Sequence, residues 1–555
     1  MKAAILTLAF ATLAIALSTP AVAEESMSKY ILTPKPSPKP RINGAQVFGV
    51  RPGSPFLFKV PATGRPPLRY SAEKLPEGLS IDSATGVITG KVDQPGTHVV
   101  DIVVSNSLGT ARRPFRIVVG EEICLTPPMG WNSWYAYSEG VSAEHIKKVA
   151  DAFVKSGLRD HGWNYINIDD CWQGERDPET KVLMGNERFP DMRELCDYVH
   201  DLGLKIGTYS SPWIGTYAGF RGATSDNPDA ADPECLPEDK RFQKHQIFGR
   251  QGEDGMGVSH YKASRIGKYW FFDKDAKAMA DWGFDYIKFD WKPNDVPTTE
   301  RMAKDLRASG RDIVLSLSNA APIENAPALS KVANLWRTGP DIHDSWESIS
   351  RCFNELEWVK FQRPGHWNDM DMLQVGMRGR PNRFNASPKK TKLTPDEQYT
   401  QMSMWCLQSN PLLLSCYIDQ LDDFTMSLLT NDEVIEVNQD PAGKQVQRVH
   451  KDGDLEVWMK PMEDGSQAVG LFNRGDKTEE IKIAWENLGI TGKQKVRDLW
   501  RQKDLGVYED SFSSSVKSHG VLFVNVIKDT SGDQQSARFF ENPNPAESLV
   551  HLKYL

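Results

Sequence analysis

Tyr165-Ile-Asn-Ile-Asp-Asp-Cys-Trp172 starts as an apolar run and breaks off on two adjacent carboxylates. Such a stretch reads as a buried parallel strand whose C-terminal end opens onto a polar site. The design recurs along the chain. Apolar runs ending in polar or small residues occupy 128–131, 165–169, 205–210, 285–290, 313–319, 335–339, 366–371 and 411–417. Helical patterns lie between them. Ser142 is placed to cap a helix that carries Ile146, Val149, Ala150 and Phe153 on one face. Similar stripes occupy 192–202, 276–282, 301–308, 329–333, 346–353, 399–407 and 426–434. Eight strand–helix units predict a closed (β/α)8 barrel over 121–443. An open doubly wound sheet is the alternative, disfavoured by the number of units and by the lack of a Gly-x-Gly-x-x-Gly turn.

The flanks differ from this core. Residues 1–23 read as a secretory signal, with Lys2, an apolar run over 3–17 and the small-x-small site Ala21-Val22-Ala23. That predicts a secreted or periplasmic protein. The Pro/Lys-rich stretch within 24–40 has the composition of a stiff linker. Short alternating runs between turn residues predict an all-β domain over 41–120. Within it, Leu75-Pro-Glu-Gly-Leu-Ser-Ile-Asp-Ser-Ala-Thr-Gly-Val-Ile-Thr-Gly90 resembles the immunoglobulin-like modules of many secreted bacterial proteins. The expected role of this module is to support the barrel. Strand-like runs at 455–459, 468–473, 480–483 and 521–526 predict a C-terminal antiparallel sandwich over 444–528, followed by a polar tail over 529–555. The fold class is therefore multidomain: a TIM barrel between two β-sandwiches.

Composition narrows the function. A net charge of -8 gives no reason to expect a nucleic-acid partner, which needs a clustered basic face. No segment beyond the signal is apolar for the ~18 residues a membrane span requires. The chain holds 16 Trp and 15 Tyr, most of them core residues and the rest candidate surfaces for the C–H faces of sugars. Seven cysteines without Cys-x-x-Cys spacing leave an odd thiol and no disulfide scaffold. Cys406 and Cys416 sit among apolar neighbours, as buried free thiols do.

In a barrel of this kind the active site forms at the C-terminal ends of the strands. The second strand ends on Asp169 and Asp170 and the fourth on Lys288-Phe289-Asp290. The sixth runs into Arg337-Thr338-Gly339-Pro340-Asp341, and the seventh into Asp369-Met370-Asp371. A single strand-end Asp is ordinary helix capping. Carboxylates converging from four strands repel one another unless cations, hydrogen bonds or a ligand offset them. No His cluster accompanies them, against zinc. Magnesium or calcium is the other occupant that such oxygens accept. Acid and nucleophile work on a glycosidic bond fits better and needs neither metal nor cofactor. Lys288 lies two residues before Asp290, on the same side of the strand, where it favours the ionised nucleophile.

Four motifs then carry a resemblance: Thr126-Pro-Pro-Met-Gly-Trp-Asn-Ser-Trp134, Ile168-Asp-Asp-Cys-Trp172, Tyr286-Ile-Lys-Phe-Asp290 and Gly365-His-Trp-Asn-Asp-Met-Asp-Met-Leu373. With Val437-Asn-Gln-Asp-Pro-Ala-Gly443 they are similar to glycoside hydrolase family 27, over about 126–526. The resemblance implies a retaining exo-glycosidase acting on carbohydrate, with Asp290 as nucleophile and Asp341 as acid/base. It implies that Asp169 and Asp170 hold the 4- and 6-hydroxyls of galactose and that Trp134 and Tyr209 form walls. Lys288 and Arg337 would grip hydroxyls, and Asp371 would be a further pocket carboxylate. Asp169 in place of Glu separates the chain from the β-L-arabinopyranosidase branch.

There are also departures. Lys292 stands where relatives often have a Cys, and the usual partner of Cys171 near Glu139 is absent. The loop after the third strand starts Ser210-Ser211-Pro212-Trp213 and runs about sixty residues to Tyr269, carrying His245, His260 and Tyr261. It is expected to shape the leaving-group side. Ser318 and Ala321 align with the residues that make room for a 2-acetamido group in N-acetylgalactosaminidases, while Asn319 replaces a Trp common to both branches. α-Galactosidase is the first reading and α-N-acetylgalactosaminidase the second. A sugar-binding protein without catalysis is the alternative from another class.

Overall fold

The computed structural model describes residues 27–230, 263–379 and 388–530. The signal at 1–23, the thiol of Cys235, the loop residues His245, His260 and Tyr261, and the tail beyond 530 lie outside the described residues. Eight parallel strands form the central sheet: β1 (Met129–Asn132), β2 (Tyr165–Asn167), β3 (Lys205–Ser210), β4 (Tyr286–Asp290), β5 (Val314–Ser318), β6 (Leu335–Arg337), β7 (Trp367–Asp369) and β8 (Leu412–Leu414). From β1 to β7 each strand pairs with the next in sequence, and β8 pairs back to β1. The circle closes just past β7, where Leu373 bridges Leu414. The expected barrel is the fold, and the open sheet is excluded.

Side-chain alternation divides the two faces of each strand. On β4, Ile287 and Phe289 are fully buried in the layer between strands and helices, leaving Tyr286, Lys288 and Asp290 for the interior. Tyr286 joins Tyr165, Val314, Leu335, Trp367 and Ile123 in an apolar plug at the barrel floor. Above it the inward positions turn polar, and this change places the carboxylates at the top.

The helical shell follows the sequence pattern closely. α1 (Ala143–Ser156) starts at Ser142, whose hydroxyl accepts from the His145 amide, and buries Ile146, Val149, Ala150 and Phe153. The single stripe expected over 426–434 is two helices, Asp423–Leu429 and Asp432–Asn438. Asn431 separates them. Its carboxamide oxygen caps the second helix, and its nitrogen donates to the carbonyls of Leu499 and Trp500 in the C-terminal sandwich.

The N-terminal β domain pairs a four-stranded sheet with a three-stranded one around its own core. It packs against the barrel floor: Arg51 holds Asp312 at 2.6 Å, and Asn43 donates to the carbonyl of Asp160. That contact fits a supporting role. The stretch read as a linker is partly docked, since Tyr30 O accepts from the Tyr399 hydroxyl and the Leu32 amide donates to it. The C-terminal region forms a six-stranded antiparallel sheet with a separate two-stranded ladder. Its strands Gln494–Asp498, Lys503–Tyr508 and Ser511–Val516 were not anticipated. Among the described residues no helix is long and apolar enough to cross a membrane. All six described cysteines are unpaired. Where relatives place a bridge, Arg188 donates to the carbonyls of both Glu139 and Cys171.

Candidate active site

Asp169 follows β2 and is almost completely buried. Its Oδ2 accepts from Lys288 Nζ and from Asn132 Nδ2, each at 2.8 Å, and its Oδ1 accepts from the amide of Asp170. Asp170 turns the other way. Its Oδ2 accepts from the Ala218 amide at 2.9 Å and its Oδ1 from that of Cys171. The described start of the long loop after β3 is thereby pinned to the site. Burial raises the Asp170 carboxyl to about 7, against the pull of the Ala218 amide and the Thr216 hydroxyl.

Asp290, at the end of β4, is 4% exposed and stands in register beside Ser318 of β5. Lys288 does not bond it: the ammonium is committed to Asp169, and the donor on Asp290 Oδ1 is Asn319 Nδ2. Lys288 favours the ionised form of Asp290, as its place on the strand predicts, and does so through space rather than by a hydrogen bond. Burial raises the Asp290 carboxyl. Lys288 and Asn319 oppose that rise, and Asp169 and Asp341 add to it. Lys288 itself is raised, because Asp169, Asp290 and Asp341 outweigh the cost of its burial.

A second cation serves the opposite side. Arg337 Nη2, on β6, lies 3.1 Å from Asp341 Oδ1 and 3.0 Å from Asp371 Oδ2. Asp371 also accepts from the Ile342 amide at 2.9 Å, which ties the loop carrying Asp341 to the end of β7. The Asp341 side chain is 54% exposed, at the rim. Burial pushes its carboxyl up, but Arg337 and Lys288 hold it below the usual carboxylate range. Asp369, beneath, is raised to about 6 by burial despite Arg337. The repulsion among these carboxylates is met by two cations and by a ring of amides, and it shows in the raised proton affinity of Asp170 and Asp369.

The remaining candidate residues converge on the same mouth. Trp134 follows β1, with its amide donating to Asn132 Oδ1 at 2.9 Å. Tyr209 on β3 is 1% exposed, and burial followed by the charges of Asp290, Asp170 and Asp169 raises its phenol. Ser318 Oγ is buried without a hydrogen-bond partner among the described residues. All ten candidate residues lie on the strands of the barrel or just beyond their C-terminal ends. Sequence reasoning missed three more. Asn132 was quoted in a motif but given no role. Tyr217, in the loop after β3, has its phenol raised by burial and by both Asp290 and Asp341. Asn319 reads in the sequence as a replacement for Trp able to meet a sugar 2-hydroxyl, and its bond to Asp290 is not legible there. Most Trp serve the core instead: nine are among the largest fully buried side chains. Two of them brace the site, Trp172 donating to Tyr209 O and Trp405 to Asp371 O, each at 2.8 Å. Among the described residues no group of three His, Cys, Asp or Glu is arranged to hold a metal ion.

A closed barrel with paired carboxylates around two cations at its mouth is an arrangement suited to a glycoside hydrolase. Comparison with known proteins agrees. The family profile described as alpha galactosidase A matches residues 126–233 and 253–440, that of the alpha galactosidase C-terminal beta sandwich domain matches 452–526, and an Ig-domain profile matches 39–120. Alpha-galactosidase 2 of Arabidopsis thaliana is 34% identical, covering 73% of this chain and 90% of its own. The structure of a candidate α-galactosidase from Bacteroides fragilis superposes with a TM-score of 0.75 at 28% identity, covering 89% of this chain and 98% of that one. The β-L-arabinopyranosidase of Geobacillus stearothermophilus gives 0.61 at 27% identity, over 73% and 98%. The chain belongs to glycoside hydrolase family 27, the α-galactosidase family.

Proposed function

We propose that the protein is a retaining exo-α-galactosidase that removes terminal α-linked galactose from oligo- or polysaccharides through a covalent galactosyl–Asp290 intermediate. The observation that carries this reading is the difference between its two carboxylates. Asp290 is sealed at the end of a strand with an amide on one oxygen, suited to attack from a fixed position. Asp341 stands at the half-open rim on a loop, where a leaving group departs and water enters. Arg337 favours the ionised form of Asp341. A sugar seated over it excludes water and raises its proton affinity, which supplies the acid. Asp341 then gives its proton to the leaving oxygen, and in the second step takes one from the attacking water. Asp169 and Asp170 are read as the acceptors of the 4- and 6-hydroxyls, Lys288, Arg337 and Asp371 as further hydroxyl partners, and Trp134 and Tyr209 as walls. The signal at 1–23 supports a secreted or periplasmic location.

The test is to trap the intermediate. An activated 2-deoxy-2-fluoro α-galactoside slows deglycosylation, and mass spectrometry is expected to find the fluorosugar on the peptide containing Asp290. NMR of the first-formed sugar is expected to show the α anomer; a β product rejects the two-step mechanism. The second reading, α-N-acetylgalactosaminidase, rests on Ser318 and Ala321 and is separated from the first by substrate preference.

A further inference from the structure

We propose that Asn319 is the positioning residue of the nucleophile: its carboxamide holds Oδ1 of Asp290, keeps that carboxylate ionised and leaves Oδ2 to attack the anomeric carbon. Three observations converge on it. First, Asn319 Nδ2 donates to Oδ1 of Asp290, on which the Tyr209 phenol also bears, while the nearest ammonium, Lys288, is spent on Asp169 2.8 Å away. Second, Asn319 and Ala320 are consecutive non-glycine residues in the left-handed region, with φ 68° and 59°. Such conformations cost free energy and persist where the surroundings impose them, commonly at functional sites; Asn tolerates them better than most residues. Third, the turn is held from both sides. Asn294 donates to the Ser318 carbonyl at 3.0 Å, and the Ala321 amide donates to the Arg337 carbonyl at 3.0 Å. The backbone thus turns sharply after β5 and aims the amide back at Asp290.

The charged and titratable groups that face Asp290 are Lys288 on its own strand, Asp169 after β2, Tyr209 on β3, Tyr217 in the following loop and Asp341 after β6. Two carboxylates and burial favour its neutral form; Lys288 and Asn319 favour the charged one. Removing the Asn319 amide therefore raises the proton affinity of Asp290. The acid limb of kcat/KM then moves to higher pH.

The proposal rests on the galactosidase reading for its kinetics, so the experiment includes a readout free of turnover. Asn319→Gly removes the side chain without straining a left-handed backbone, and Asn319→Asp keeps the shape while adding a carboxylate. Ionisation of Asp290 is followed by infrared difference titration, each protein minus its Asp290→Asn counterpart. The pH profile of kcat/KM on a dinitrophenyl α-galactoside, which needs no acid, is recorded in parallel. Both variants are expected to move the titration and the acid limb upward by about one pH unit or more, Asn319→Asp furthest, and to lower kcat/KM on the plateau by about tenfold to a hundredfold. An unmoved titration in both variants overturns the proposal. A rise in KM alone, with the limb in place, also overturns it and makes Asn319 a sugar contact. If the wild-type protein hydrolyses no α-galactoside yet the titration shifts, the positioning role stands and the galactosidase reading falls.

Discussion

Lys288 reaches across from β4 to β2 and sets its ammonium 2.8 Å from Oδ2 of Asp169, an oxygen that Asn132 of β1 also donates to. Three strands are tied together at one carboxylate oxygen. Lys288 and Asp169 are mostly buried, with side-chain exposures of 16% and 3%. Removing one partner of such a pair leaves an uncompensated charge, which costs about 3 kcal/mol or more. Lys288→Met is therefore expected to lower unfolding stability by that order and kcat/KM by at least a hundredfold. Denaturant titration and steady-state kinetics check the two effects. A stable, active Lys288→Met protein would show that Asp169 finds its charge balance elsewhere.

Asp341 and Asp290 differ in what their loss does to different substrates. Asp341→Asn is expected to fold normally, since the side chain sits at the rim, and to lose about a hundredfold to ten-thousandfold on alkyl or disaccharide substrates. Dinitrophenyl galactoside, whose leaving group departs unprotonated, is spared in the first step. Equal losses on both substrate types would reduce Asp341 to a binding group.

Asp170 predicts a slope of stability against pH. Its carboxyl is raised to about 7 in the folded protein, mainly by burial, whereas an unfolded Asp ionises near ~4. From pH ~4 to ~7 the folded state holds a proton that the unfolded state has lost, so stability declines as pH rises through this window, by at most about 1.4 kcal/mol per pH unit for this group. Asp369, raised to about 6, acts in the same sense over the lower part of the window. Asp170→Asn is expected to flatten the decline, measured by urea unfolding at several pH values. An unchanged slope would place the proton elsewhere.

The barrel was legible because each unit repeats strong local signals. The Ser142 cap and the 3.6-residue stripe behind it specify α1 without help from the rest of the chain. Converging strand-end Asp residues revealed the site because barrel topology maps strand ends to one mouth. What stayed hidden depends on partners distant in sequence. Asn431 divides a helical stripe because it reaches residues 68 and 69 positions away. Lys503–Tyr508 is largely exposed on its sheet and lacks the apolar alternation that marks a half-buried strand. Spacing alone puts Lys288 on the same side as Asp290 but cannot say that Asp169, 119 residues earlier, takes its proton donors.

The choice between galactose and N-acetylgalactosamine turns on Ser318. Its Cα is paired with that of Asp290, and its hydroxyl is buried without a partner among the described residues. Ala321 is 5% exposed and packs into the barrel core, so little of its small side chain faces the pocket. Asn319, between them, is committed to Asp290. A buried hydroxyl that lacks a partner is satisfied by a sugar 2-hydroxyl at no cost in volume, whereas an acetamido group needs the space around it. Room alone discriminates weakly, by about 10- to 200-fold, while a site built to hydrogen-bond a hydroxyl discriminates strongly. The wild-type protein is therefore expected to prefer the aryl α-galactoside over its N-acetylated analogue by a modest factor in kcat/KM, on the order of ten to a hundred. Ser318→Glu puts a carboxylate acceptor in the same place and fills it. The preference for galactose is then expected to widen by a further tenfold or more, about 1.4 kcal/mol. Parallel kinetics on the two glycosides decide the matter. A wild-type preference of about tenfold for the N-acetylated sugar, erased by Ser318→Glu, would make the protein an α-N-acetylgalactosaminidase with Ser318 as the residue that admits the acetamido group.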